Sequence, residues 1–327
     1  MFTYFQSAVG AFLLHIATST QLYGNGKVFG CSSMLYNTFA SPSIFNLPAV
    51  AGIVSSVVAV AKLLPQYLPS YDNVRAIAPV FGSYSATLLL SGFLTGAGTH
   101  LGSGCTSGHM LCGLARLSVR SLVATATFSL VGMITQAIFH TAPACVGGPC
   151  HEIANPAPTE VKVLLALLAV IYTTSLAIKK FASKSKQSET IVSYFSGFVF
   201  GLGLLISGMG SPGNTLGFLA AIPPKFNPSL IMVVLFGIVP NLVEILRKPL
   251  VKTQEYPTAV ENFDLPTKTQ VDAKLVAGAA LFGVGWGLSG ICPGPGIILA
   301  TYNGLDGLYW LAAFLTGYKL MKSANTC

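Results

Sequence analysis

The chain has 327 residues, 52% of them hydrophobic and only 9% charged, with a mean hydropathy of +0.67. A soluble domain carries about 25% charged residues, so the composition excludes one and indicates an all-α integral membrane protein. The net charge of +8 does not point to nucleic acid, because the Lys and Arg fall between apolar stretches and form no single patch.

Apolar runs of about 20 residues, the length that crosses a bilayer, fall near 5–23, 44–64, 76–96, 118–140, 160–178, 190–208, 228–246, 272–290 and 305–321. The first lacks a basic start and reads as a spanning helix, not a cleaved signal. Nine spans are therefore expected. Between them lie Gly/Pro-rich apolar pieces too short to cross, at 24–40, 102–114, 209–221 and 291–303. Irregular backbone at membrane depth persists only inside protein or along a cavity, so these four are expected to be re-entrant segments. The run "KKFASKSK" (179–186) is the densest basic cluster and belongs on the inner side. Counting spans from it puts fourteen of the 18 Lys and Arg inside, with only Lys62, Arg75, Lys162 and Lys225 outside. The N-terminus is then outside the cell membrane and the C-terminus inside.

"GAGTHLGSGCTSG" (96–108) aligns with "GVGWGLSGICPGP" (283–295) at a shift of 187, superposing Cys105 on Cys292. The same shift brings Gly10, Gly26 and Gly30 onto Gly197, Gly213 and Gly217. One shift that serves separated regions indicates duplication. The expected organisation is a first repeat at 1–159, a connecting span with its basic loop at 160–189, and a second repeat at 190–327. One connecting span inverts the second half, and inverted repeats mark transporters whose site lies near the midplane.

A short helix that starts just after Cys105 aims free N–H groups and its positive dipole end at the membrane centre. "CPGPG" (292–296) is its counterpart, with Pro293 suited to the first helical position. Such a place favours an anion. Acids are absent between Asp72 and Glu152 and again from Lys274 to Leu305, and Glu244 is the one acid within a span, near Arg247 and Lys248. Cation pumps and proton-coupled carriers place carboxylates at depth, so an anionic or neutral solute is expected.

"GSGCTSGHMLCGLARLS" (102–118), "GLSGICPGPG" (287–296), "GNGKVFGCSS" (24–33) and "ISGMGSPGNTLGF" (206–218) together resemble the YeeE/YedE family of sulfur-transport membrane proteins. The resemblance covers essentially the whole chain. It departs from the family at Lys27, where Arg is more usual. It implies an hourglass-shaped protein that takes up thiosulfate along a central path of cysteines, through S–H···S contacts and without a cofactor. By motif these are Cys31, Cys105 and Cys292, with Cys112 near the path. Thr106, His109, Pro293 and Gly294 lie within the same motifs. The family also implies a cytosolic sulfur-carrier protein as a partner of bacterial members.

Bland alternatives stand beside these assignments. Free cysteines are commonly small buried hydrophobes, and His109 reads first as a packing or hydrogen-bonding residue. A Cys105–His109–Cys112 face on one helix would suit copper or zinc, so a soft-metal transporter is a rival reading. A membrane sulfurtransferase is another, with His109 as its base. Arg116 and Arg120 read as topology anchors, with Arg116 also able to attract a departing anion. The sequence leaves open whether Cys145 and Cys150, in "PACVGGPCHE" (143–152), form a disulfide. Cys327 is terminal and assigned no role.

Overall fold

The structure is a computed structural model that describes residues 2–71, 83–145, 148–248 and 256–324. Its helices are α1 (Tyr4–Asn25), α2 (Cys31–Ala40), α3 (Asn46–Leu63), α4 (Tyr84–Leu101), a π-helical segment (Ser107–Gly113), α5 (Val119–Phe139), α6 (Pro158–Phe181) and α7 (Lys186–Ile206). They continue with α8 (Pro212–Leu219), α9 (Pro228–Arg247, with a π-helical middle), α10 (Ala273–Ser289), α11 (Pro293–Tyr302) and α12 (Gly304–Ala324). No strand occurs among the described residues, only isolated bridges at Phe2–Ile153 and Lys27–Asp264.

Long helices occupy the expected positions, although residues 76–82 of the third lie outside the described residues. Among the described residues, six stretches are long and apolar enough to cross a membrane: Asn46–Leu63, Val119–Phe139, Pro158–Phe181, Lys186–Ile206, Pro228–Arg247 and Ala273–Tyr302. The chain is thus a multi-pass helical membrane protein. α1, α4 and α12 are more polar. For α1 the reason is position: it buries His15, Thr18, Ser19, Gln21 and Asn25, and a helix surrounded by protein need not be apolar all round.

Local signals set the boundaries. Ser83, Ser118, Ser185 and Asp272 each accept the N–H three residues on, capping α4, α5, α7 and α10. Pro158 opens α6 and Pro293 opens α11, at positions where the missing donor costs nothing.

Packing brings the two halves of the chain together. α7 packs on α1 and α3, and α4 packs on both α10 and α12. α5 meets α10 much as α12 meets α4. Among the described residues each half also runs long, short, long, long, short, long in its helical segments. Apart sits α6, mostly exposed and touching chiefly α1.

The two ends of the bundle differ. Cys145 and Cys150 are joined by a disulfide, with 5.3 Å between their Cα atoms. Phe2 pairs with Glu152 and Ala154 of the same loop, so the start of α1 and the disulfide share one face. The basic 179–186 run lies at the other end of α6. Lys179 nevertheless turns inward from that run and is buried.

Candidate functional site

The short helices bring three cysteines into one place. Cys31 is the first residue of α2, Cys292 caps α11, and Cys105 immediately precedes the turn that leads into the π-helical segment. Their exposures are 1%, 9% and 1%. Ser107 ties two of them: its Oγ accepts the Cys31 N–H at 3.0 Å and lies 3.3 Å from Cys105 Sγ. The Cys292 thiol faces the Thr106 hydroxyl. Gly294 allows the start of α11 to come this close. A side chain there would meet Leu204 at 3.0 Å, the Phe200 ring at 3.3 Å and Cys31 Sγ at 3.5 Å.

These residues line a cavity with about 50 Å³ of space for water centres. One buried water needs about 10–15 Å³, so there is room for a few waters or one small solute. Among the described residues, the lining holds no charged side chain. Its sulfur atoms come from Cys31, Cys105, Cys292, Met110 and Met209, and its hydroxyls from Thr106, Ser107 and Thr215. Trp286 also faces the cavity, and its buried Nε1 makes no hydrogen bond of ordinary geometry, although it lies within interaction range of the Cys292 thiol.

A second, more polar cavity of about 410 Å³ lies behind Gly30, Ser32 and Gly104, the neighbours of Cys31 and Cys105. Arg116, Arg120, Lys268, His100 and His109 line it. Arg120 is held by Ser103 at 3.3 Å, Asp272 at 3.5 Å and the Gln270 carbonyl. The Arg116 Nε donates to the Cys112 carbonyl at 3.2 Å. Hydrogen bonds from Lys268 and the Leu275 N–H, with Arg120 nearby, hold the Asp272 carboxyl down at about 2.

The sequence-derived residues therefore divide. Cys31, Cys105, Thr106, Cys292 and Gly294 share the first cavity, and Pro293 begins the helix behind it. His109 faces the second cavity. It bonds the Gly102 carbonyl at 2.9 Å and Ser121 at 3.1 Å, which takes up both ring nitrogens. Cys112 lies in a separate small crevice with Thr18, Arg116 and Asn241, its thiol against the Phe29 N–H. The π-helical i→i+5 pattern widens each turn, so seven residues from Cys105 no longer return to the same face. Cys105, His109 and Cys112 do not converge, and no group of three or more His, Cys, Asp or Glu is placed to hold a metal ion among the described residues.

Motif reading did not single out Ser107, Trp286 or the two methionines. Ser107 and Trp286 stand inside the quoted motifs, and Trp286 is one of only two tryptophans, which was the available signal. Glu244, the acid near Arg247 and Lys248 in sequence, pairs with Lys179 at 3.1 Å and lies 3.9 Å from His15 Nε2.

Fold and site together define a multi-pass helical membrane protein with a buried, uncharged, sulfur-lined cavity. Residues 188–326 match a family of unknown function (DUF6691). A probable transporter of Xylella fastidiosa (strain Temecula1) is 36% identical over 126 residues, which are 38% of this chain and 83% of that one. A second probable transporter of that strain is 35% identical over 136 residues, 41% of this chain and 94% of the relative. The chain belongs to the family of these relatives.

Proposed function

We propose that the protein is a membrane transporter that takes up thiosulfate, or a closely related sulfur-containing anion, by way of Cys31, Cys105 and Cys292. The carrying observation is the cavity itself: sulfur-bearing walls and no charge, at the starts of α2 and α11. The starts of α2 and α11 attract an anion mainly through the positive ends of their helix dipoles, because the Cys31 N–H goes to Ser107 and Pro293 and Pro295 have no N–H to offer. Polarisable sulfur suits the soft terminal sulfur of thiosulfate. Sulfate, harder and more strongly hydrated, gains less from such walls.

In this reading the nine long helices among the described residues span the membrane, the four short segments there are re-entrant, and the halves are inverted repeats. The exchange of packing partners between α4–α12 and α10–α5 supports that symmetry. The disulfide suits an oxidising outer face, and the basic 179–186 run suits an inner one. The anion enters from the α8 side, passes Cys31 and Cys105, and is drawn into the second cavity by Arg116, Arg120 and Lys268. A cytosolic sulfur carrier would receive it there.

The sulfur wall also favours a second reading, transport of a soft monovalent metal such as Cu(I), though not through His109 or Cys112. A sulfurtransferase would need a base beside a cysteine, and His109 faces the other cavity with both nitrogens engaged.

Radiolabelled thiosulfate uptake into proteoliposomes, with sulfate as competitor and with and without a copper chelator, tests the reading. Cys105→Ala and Cys292→Ala are each expected to abolish uptake at equal abundance. Wild-type rates in both variants would refute the cysteine path. Copper uptake in place of thiosulfate uptake would favour the second reading.

A further inference from the structure

Away from the cysteine cavity, a charged cluster is buried where α1, α6 and α9 meet. Glu244 accepts from Lys179 at 3.1 Å and from Ser19, and Lys179 also donates to Ser19 at 2.5 Å. His15, midway along α1, bonds Asn241 through Nδ1 at 2.8 Å, and its Nε2 lies 3.9 Å from Glu244 Oε2. Ionisable groups inside a membrane are costly, and they mark ion or proton pathways more often than scaffolding.

The hydrogen bonds fix where the protons are. The Leu111 carbonyl can only accept, so the Asn241 group 3.4 Å from it is the amide Nδ2. That Nδ2 also donates to Thr18 Oγ1 at 2.9 Å, and Thr18 passes its own hydrogen to the Leu14 carbonyl at 2.8 Å. Asn241 Oδ1 therefore faces His15, and Nδ1 carries the hydrogen. In the neutral ring Nε2 is then an acceptor. It confronts a carboxylate oxygen, another acceptor, across a gap too long for a hydrogen bond. One proton would convert the confrontation into a bond.

We propose that His15 Nε2 and Glu244 Oε2 form a proton-binding site, and that one proton moves inward through it with each anion. The proposal rests on the transporter reading. The proton forms an N–H bond at Nε2, shared with Oε2, and is released as that bond breaks. Ser19 and Lys179 continue the polar line from Glu244, with Lys248 beyond, over the Tyr23 ring. Asn241 links the site to the cysteines, because Leu111, its acceptor, belongs to the π-helical segment that follows Cys105. Among the elements packed on α1, α9 brings Glu244 and α6 brings Lys179 to His15. The π-helical segment brings Cys112, with Arg116 just beyond, to the crevice beside Asn241. α7 contributes Glu189, which pairs with Lys27 at the far end of α1.

The test uses proteoliposomes that enclose a pH-sensitive dye, with thiosulfate added outside. Wild-type uptake is expected to acidify the interior, and to rise by up to about tenfold per unit of external acidification, the limit for one proton. His15→Asn keeps a donor toward Asn241 and deletes Nε2. It is expected to lose the acidification and flatten the pH profile. Thiosulfate uptake by wild type without acidification overturns the proposal, and so does an unchanged proton flux in His15→Asn. The wild-type measurement decides where the variant fails to insert. Should wild type carry no thiosulfate, the functional reading fails, and N-ethylmaleimide labelling of Cys105 judges the proton site alone. The ratio of wild-type to His15→Asn labelling rates should change several-fold across the whole range in which a histidine can change charge, about pH 5 to 8. A constant ratio refutes the site.

Discussion

Ser107 shows how much one hydroxyl can position. Its Oγ is the acceptor for the Cys31 N–H and the neighbour of Cys105 Sγ, so it spans the starts of two short segments from distant parts of the chain. Ser107→Ala would leave that buried N–H without a partner, at a cost of about 1–3 kcal/mol, and would free Cys31 to shift. Thiosulfate uptake should fall at least severalfold, while Ser107→Thr, which keeps the hydroxyl, retains most of it. Equal uptake by both variants would remove Ser107 from the site. The cysteines themselves were legible in sequence, because Cys105 and Cys292 stand at matching places in two similar motifs. Ser107 was not, since a serine beside a threonine and a glycine reads as ordinary turn chemistry until its distant partner is known.

Among the elements, the glycines on the long helices set the spacing that the cavity requires. Gly96 of α4 faces α12 so closely that a Cβ would lie 2.0 Å from the Phe314 carbonyl oxygen, while Gly283 of α10 faces α5 with 2.8 Å to the Phe128 carbonyl oxygen. Both contacts are to backbone, which cannot swing aside, so an alanine must push the helices apart. Overpacking of this kind costs about 1–3 kcal/mol. Gly96→Ala should lower the apparent melting temperature in detergent, and by more than Gly283→Ala does. The reverse order would mean that carbonyl distance does not govern these crossings. Element positions were readable because apolar length is a strong signal in a membrane chain. The π-helical course of Ser107–Gly113 was not, since seven-residue spacing looks the same whether the turn is α or π. That single difference moves Cys112 away from Cys105.

At the level of the whole molecule, the relatives carry a structural lesson. The match that covers 83% of one relative takes up only 38% of this chain, so that relative is a little under half as long. The cavity here needs both halves, with Cys31 and Cys105 from the first and Cys292 and Trp286 from the second. The contacts of α1 with α7, of α3 with α7 and of α4 with α10 and α12 all join one half to the other. Neither half encloses a core by itself. The link at 182–185, between α6 and α7, carries the Ser185 cap of α7 and a surface pair of Lys184 with Glu261, and a break between 183 and 184 leaves both, and every one of those helix pairs, intact. Two fragments, 1–183 and 184–327, expressed together should therefore assemble in the membrane, co-purify through a tag on either one, and carry thiosulfate at a rate within severalfold of the intact chain. Expressed singly, each should be degraded or inactive. Fragments that insert stably and transport alone would show that one half suffices for the path, and the shared cavity would then have no part in it. Fragments that co-purify without transport would separate assembly from function and point to the link itself.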